Sequence, residues 1–199
     1  MTDQSLIQGI GHDPEKRQRL IEAAAKQFAR SGFDAASMDG IAREAGVAKG
    51  TTYLYFRGKR DLFLAVLDEL RRRLDAAPAP DATQPPREAL RAYVRLHLAV
   101  ADAVPDLFRC YTSALFGVNR DFQEAAMGVF SWQTRQLAGL LAPGVRRPSR
   151  LQVRRAELVA ASVLAASLIR SLEGRAWRGT ALEEDLVVRG ALTEDGRWT

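Results

Sequence analysis

The stretch from Ser37 to Arg60, SMDGIAREAGVAKGTTYLYFRGKR, constrains the fold more than any other part of the chain. Ser37 is a good N-cap, because its hydroxyl can accept one of the unpaired N–H groups of a first helical turn. Ile41, Ala42 and Ala45 recur at helical spacing and make an apolar face. Gly46 follows directly, where a sharp turn calls for a residue that tolerates positive φ. Val47 can plug the corner between the helices. From Ala48 the chain reads as helix again, and its positions Lys49, Thr51, Thr52, Tyr53 and Tyr55 include no acid. Phe56 turns inward, and Gly58-Lys59-Arg60 opens the next helix with two cations. Two short helices about a glycine turn, the second with an acid-free polar face, predict a helix-turn-helix whose second helix enters the major groove.

The run IAREAGVAKGTTYLYFRGK resembles the DNA-binding signature of the tetracycline-repressor-like (TetR) family of transcriptional regulators. The family's DNA-binding domain corresponds to residues 14–75; beyond it, length and helical layout agree. The resemblance implies an all-α chain: an N-terminal three-helix helix-turn-helix DNA-binding domain plus a C-terminal helical ligand-binding and dimerisation domain. It also implies a homodimer joined through its last two long helices, on a pseudo-palindromic operator in double-stranded DNA. A repressor released by a small-molecule effector is the expected function, with no catalytic residues, no metal and no cofactor. Thr52 stands where the family usually has an aliphatic residue, and its hydroxyl can bond back along the helix.

Physical chemistry assigns roles within the signature. Lys49, Thr51 and Tyr53 lie in the first turns of the reading helix, within reach of base edges and flanking phosphates. Lys can donate to guanine O6 and N7, and the Thr methyl can meet a thymine methyl. Gly50 allows close backbone approach. Thr52 completes the helix's polar positions. Tyr55 and Lys59 are expected to fix register through phosphates, and Ser37 to add a phosphate bond.

Charge agrees with an anionic partner. The chain of 199 residues carries a net charge of +5, and its sequence pI is near 9.8. Residues 14–75 hold 13 bases and 9 acids, whereas residues 76–199 hold 16 bases and 13 acids over twice the length. Cys110 is the sole cysteine, so no disulfide forms within one chain. With only His12 and His97 beside it, a Cys/His metal site is not expected. The start, MTDQSLIQGIGHD, lacks the cationic and apolar regions of a signal peptide. No apolar run reaches the ~20 residues of a membrane span, so a cytoplasmic protein is expected.

Along the chain, residues 1–13 read as a flexible arm. Asp13-Pro14-Glu15 is a helix start, with N-cap, proline at the first helical position and an acid at the positive end of the dipole. Leu20, Ala24 and Phe28 stack at helical spacing, Phe28 and Phe33 read as core, and Ser31-Gly32 stops the helix. Lys59 to Leu74 is a further helix, ending in Arg71-Arg72-Arg73, read as a solvated turn suited to the helix dipole. AAPAPDATQPP, residues 76–86, is a Pro-rich linker, and residues 87–199 form the helical effector-binding and dimerisation domain.

In that domain, Glu157 to Trp177 reads as the core of a long helix, apolar nearly all round and rich in Ala and Ser. Such a helix must be covered on several sides. It is either wholly internal or meets its own copy through Leu158, Ala161, Val163, Ala165, Ala166 and Ile169. Candidate linings of an effector pocket are Tyr93, His97, Phe108, Tyr111, Met127, Phe130, Trp132 and Arg170. The aromatics have a second reading as core, and His97 as a hydrogen-bonded core histidine. Arg170 is an anion anchor or the rim of the dimer face. A helical carrier or enzyme without DNA specificity is the alternative function, but no G-x-G-x-x-G, Walker pattern, nucleophile–base pair or metal cluster supports it.

Overall fold

The computed structural model describes residues 13–81, 83–142, 144–145, 147–173 and 180–191. The expected N-terminal arm falls almost wholly outside them, as do the end of the long helix beyond residue 173 and the last eight residues. The described residues are all-α. Helix α1 is Pro14–Ala35, α2 Met38–Glu44, α3 Lys49–Tyr55 and α4 Lys59–Ala76. After the linker come α5 Pro86–Ala103, α6 Pro105–Phe116, α7 Arg120–Leu141, α8 Arg150–Glu173 and α9 Thr180–Ala191.

The caps follow from local chemistry. Asp13 accepts from the N–H groups of Glu15 and Lys16, at 2.9 and 3.2 Å, and Pro14 sits at the first helical position. Gly32 adopts φ 79°, kinking the end of α1 where Ser31-Gly32 predicts a stop. Val104 is both the C-cap of α5 and the N-cap of α6, and Pro105 opens α6, since its ring forbids continuation of the preceding helix.

Packing divides differently from the chain. The larger core joins α1, α2 and α4 to α6 and the first half of α7. At its centre four rings meet: Phe28 lies 5.1 Å from Phe63, Phe33 lies 4.7 Å from Phe122, and Phe63 lies 4.3 Å from Phe122. A surface ion pair, Arg60 to Asp121 at 2.7 Å, ties the start of α4 to the start of α7 beside those rings. The smaller core joins α5, the second half of α7, α8 and α9. The Pro-rich linker therefore interrupts the helices while apolar packing runs from the helix-turn-helix into the second half of the chain.

Two buried polar groups bear on how α4 and α5 are held. Glu69 is 2% exposed, and its carboxylate accepts from Gln18 at 3.1 Å, from Arg73 at 2.7 Å and from Arg72. Arg71 pairs with Asp68. The Arg71-Arg72-Arg73 run is thus a set of ion pairs that satisfies a buried acid, in place of the solvated turn expected from sequence. His97 is 9% exposed, and its Nδ1 lies 2.8 Å from the carbonyl of Tyr93 one turn earlier. A carbonyl only accepts, so Nδ1 carries the proton and Nε2 of the neutral ring is an acceptor.

Two outcomes are expected. Phe63→Ala removes the ring shared by α1, α4 and α7 and should cost about 3–5 kcal/mol in urea unfolding, against under about 0.5 kcal/mol for the exposed Phe116→Ala. Equal effects would contradict this packing. Burial holds His97 down at about 4, below the ordinary 6.5. The unfolded chain therefore takes up a proton there before the folded chain does, and stability falls as pH drops from about 6.5 to 4. The slope from this group is up to about 1.4 kcal/mol per pH unit. His97→Gln should flatten that fall in urea titrations across this range; an unchanged slope would refute the assignment.

Candidate nucleic-acid interface and effector cavity

The helix-turn-helix is built by a few local bonds. Ser37 caps α2 by accepting from the Gly40 N–H at 3.1 Å. At the corner, Gly46 has φ 67°, its N–H donates to Arg43 O at 3.2 Å, and Val47 N–H donates to Ala42 O at 3.0 Å. Val47 packs on the core beneath the turn. Helix α3 then starts at Lys49 and is anchored at its other end by Phe56, which is 3% exposed.

That anchoring decides which side chains face solvent. Lys49, Gly50, Tyr53 and Leu54 are exposed along one side of α3, and Thr51 and Tyr55 are half-buried. Thr52 is fully buried and its hydroxyl has no hydrogen-bond partner. This corrects its reading as a DNA contact: it occupies the aliphatic position that points into the core. Leu54, 59% exposed, is the residue sequence reasoning passed over. Its signal was an apolar side chain one position beyond Tyr53, on the turn that cannot face the core once Thr52 and Phe56 do.

The cations of this region are partly engaged. Lys49 Nζ lies 2.9 Å from Asp39 of α2, and both side chains are exposed. The Asp39 hydrogen bond, aided by its charge, raises the Lys49 pKa, so Lys49 stays a cation. Lys59 Nζ donates to the carbonyls of Asp34 and Ala36, each at 2.9 Å, and sits 4.7 Å above the Phe33 ring. Its first role is to close the end of α1, where orphan carbonyls attract a cation. Tyr55 OH accepts from the Asp13 N–H at 3.1 Å, which ties α3 to the start of α1. Ser37 is exposed beside the turn.

Five of the eight expected pocket residues line two neighbouring cavities with shared walls. A cavity of about 260 Å³ lies between the end of α4, α5, α7 and the linker, with Tyr93, His97 and Trp132 in its wall. A second cavity of about 20 Å³ shares Tyr93 and His97 with the first and adds Phe108 and Tyr111. Tyr111 is 1% exposed and its hydroxyl has no hydrogen-bond partner. Met127 and Phe130 lie elsewhere, in an open groove between α7 and α8 that also includes Leu158 and Ala161. Helix α7 is apolar on two sides, and these two residues are on the outer one. Arg170 lines neither space. It is buried and paired with both carboxylate oxygens of Asp102, with Nε to Oδ1 at 3.2 Å.

Among the described residues, helix α8 keeps one side exposed. Leu158 is 70% and Ile169 50% exposed, and Ala161 and Ala165 are exposed between them, so the four form one stripe. Val163 and Ala166 leave this face: Val163 is 4% exposed, and both pack on the smaller core. Their offsets from Leu158 turn Val163 to the opposite side of the helix and Ala166 to its flank.

The comparisons with known proteins agree with this architecture. Residues 20–66 match the family described as bacterial regulatory proteins, tetR family. The chain is 42% identical over 67 residues to the HTH-type transcriptional regulator SrpR of Pseudomonas putida, covering 34% of this chain and 32% of that one. It is 32% identical over 99 residues to BetI of Rhizobium meliloti, 49% of each protein. The chain thus spans a third to a half of the length of these curated relatives. A TetR-like transcriptional regulator from Rhodococcus sp. RHA1 superposes with a TM-score of 0.70 at 26% identity, over 88% of this chain and 94% of that one. FadR from Bacillus subtilis, solved with stearoyl-CoA, gives 0.71 at 21% identity over 87% and 98%, a likeness of fold. Residues 20–66 thus carry the DNA-binding domain of the tetR family of bacterial regulatory proteins, and the described helices share the fold of a solved TetR-like regulator.

Proposed function

We propose that the protein is a sequence-specific DNA-binding transcriptional regulator, a homodimeric repressor released by a small-molecule effector. The observation that carries this reading is the exposed, acid-free side of α3, with Lys49, Gly50, Tyr53 and Leu54 presented together by a packed helix-turn-helix. Lys49 leaves Asp39 to donate to guanine O6 and N7, and the methyls of Leu54 and Thr51 suit thymine. Tyr53 lies at the groove wall. Tyr55 and Ser37 contact phosphates and set register. Lys59 holds the end of α1 in place and offers its remaining N–H to a phosphate.

Two copies are expected to meet through the Leu158–Ile169 stripe of α8 and the neighbouring outer side of α7. Two-fold symmetry then sets two α3 helices on a pseudo-palindrome, with half-sites about one DNA turn apart or somewhat more. The fold shared with a stearoyl-CoA-bound regulator supports a small-molecule effector here. Release follows from where the cavity lies. Leu74 and Asp75 at the end of α4 line it, and the start of α4 packs beside the helix-turn-helix, 18 residues and about 27 Å away. A ligand that prefers one tilt of α4 a hundredfold shifts the equilibrium by about 2.7 kcal/mol towards heads of the wrong spacing.

Selection from a random duplex pool, followed by titration, tests this reading. The protein should prefer one palindrome over bulk DNA by about a thousandfold or more. Lys49→Ala should change the preferred sequence and cost about 1–3 kcal/mol on the original site. Lys59→Ala should weaken all sequences alike, flatten the salt slope and lower stability, because α1 loses its closing cation. A protein with no preference among duplexes would be a charge-driven binder or a carrier. An unchanged site for Lys49→Ala would remove that residue from base reading.

A further inference from the structure

The cavity beneath the linker is charged on one side only. Among the described residues lining it and the second cavity, Asp75 is the one with a formal charge, and no Lys or Arg is present. Asp75 lies in the last turn of α4, where the helix's unpaired carbonyls add partial negative charge at the mouth. The basic residue of that turn, Arg73, is turned away to Glu69 and Glu22. Arg170 is buried outside both cavities and is held by Asp102.

The other polar groups in the wall are neutral. His97 is neutral near pH 7, its Nδ1–H is spent on the Tyr93 carbonyl, and its Nε2 is an acceptor. Gln133 and Gln136 supply amide groups that accept and donate, and the buried Tyr111 hydroxyl has no hydrogen-bond partner within the protein. Tyr93 and Trp132 add ring faces, which attract cations through their quadrupoles. An anion placed here would lose its hydration with no cation to replace it, whereas an ammonium would meet a carboxylate, lone pairs and rings. The volume of about 260 Å³ is at the small end for ligand sites.

We propose that the effector cavity takes a small protonated amine with an apolar body, its ammonium held near Asp75 and His97 and its body between Tyr93 and Trp132. This deepens the reading of the protein as a ligand-released regulator and rests on it for any effect on DNA, but binding itself is separable. Calorimetry at pH 7 with a matched set, 4-phenylbutylammonium, 4-phenylbutanol and 4-phenylbutyrate, tests it on the full chain. The amine should bind at least about tenfold tighter than the alcohol, and the carboxylate weakest. Asp75→Asn should remove about five- to tenfold of the amine's affinity and leave the alcohol's unchanged. Asp75 is exposed, so this variant is expected to fold. Carboxylate binding as tight as the amine's, absence of amine binding, or an unchanged affinity in Asp75→Asn would overturn the proposal. The operator titration is then repeated with the amine present. Binding without release of DNA would leave the ligand class standing and refute effector control, while loss of DNA specificity in the free protein would refute the regulator reading alone.

Discussion

The contact on which the rest depends is the cluster of Phe28, Phe33, Phe63 and Phe122. It joins α1 and α4, which carry the helix-turn-helix, to α7, which walls the cavity beneath the linker. Edge-to-face pairs of this kind contribute about 0.5–1.5 kcal/mol each beyond the area they bury. Lys59 extends the cluster outward by sitting over Phe33 while it binds the last carbonyls of α1. Helix α3 rests on the same core through Tyr55 and Phe56, and that packing runs on to Leu74 near the far end of α4.

Electrostatics follows a similar economy. The excess of cations suggests an evenly basic surface, yet several are committed within the protein. Arg72 and Arg73 satisfy Glu69, Arg170 satisfies Asp102, and Lys59 satisfies backbone carbonyls. Lys49 has Asp39 at 2.9 Å, and under the proposed reading a guanine edge would displace that partner. Because the pair is exposed, giving it up costs little. Arg43 and Arg57 remain exposed near the turn and add to the general attraction for DNA.

Much of this was legible in the sequence because it is local. Asp13-Pro14, Gly46, Pro105 and the periodic apolar residues each act within a turn or two of themselves, and the helices lie where those signals put them. The inward Phe56 and the exposed Lys49 follow from helical spacing alone. Several misreadings involve partners far away in the chain. Thr52 looks polar, and its complete burial puts it in the aliphatic role that the family usually gives this position. Arg170 finds Asp102 from another helix, 68 positions away. Met127 and Phe130 belong to a helix with two apolar sides, and spacing cannot say which side faces inward. The prolines of the linker mark a break in helix, but they carry no information about Phe122 returning to the rings of α1 and α4.

Native-state hydrogen exchange in low urea tests the central claim, that the helix-turn-helix and the cavity wall share one cooperative core. Amides of α1, α4, α6 and the first half of α7 should lose protection together, at one common free energy of opening. If α1 and α4 open at clearly lower free energy while α6 and α7 stay protected, the two halves are independently folded units, and the coupling through the phenylalanine cluster is contradicted.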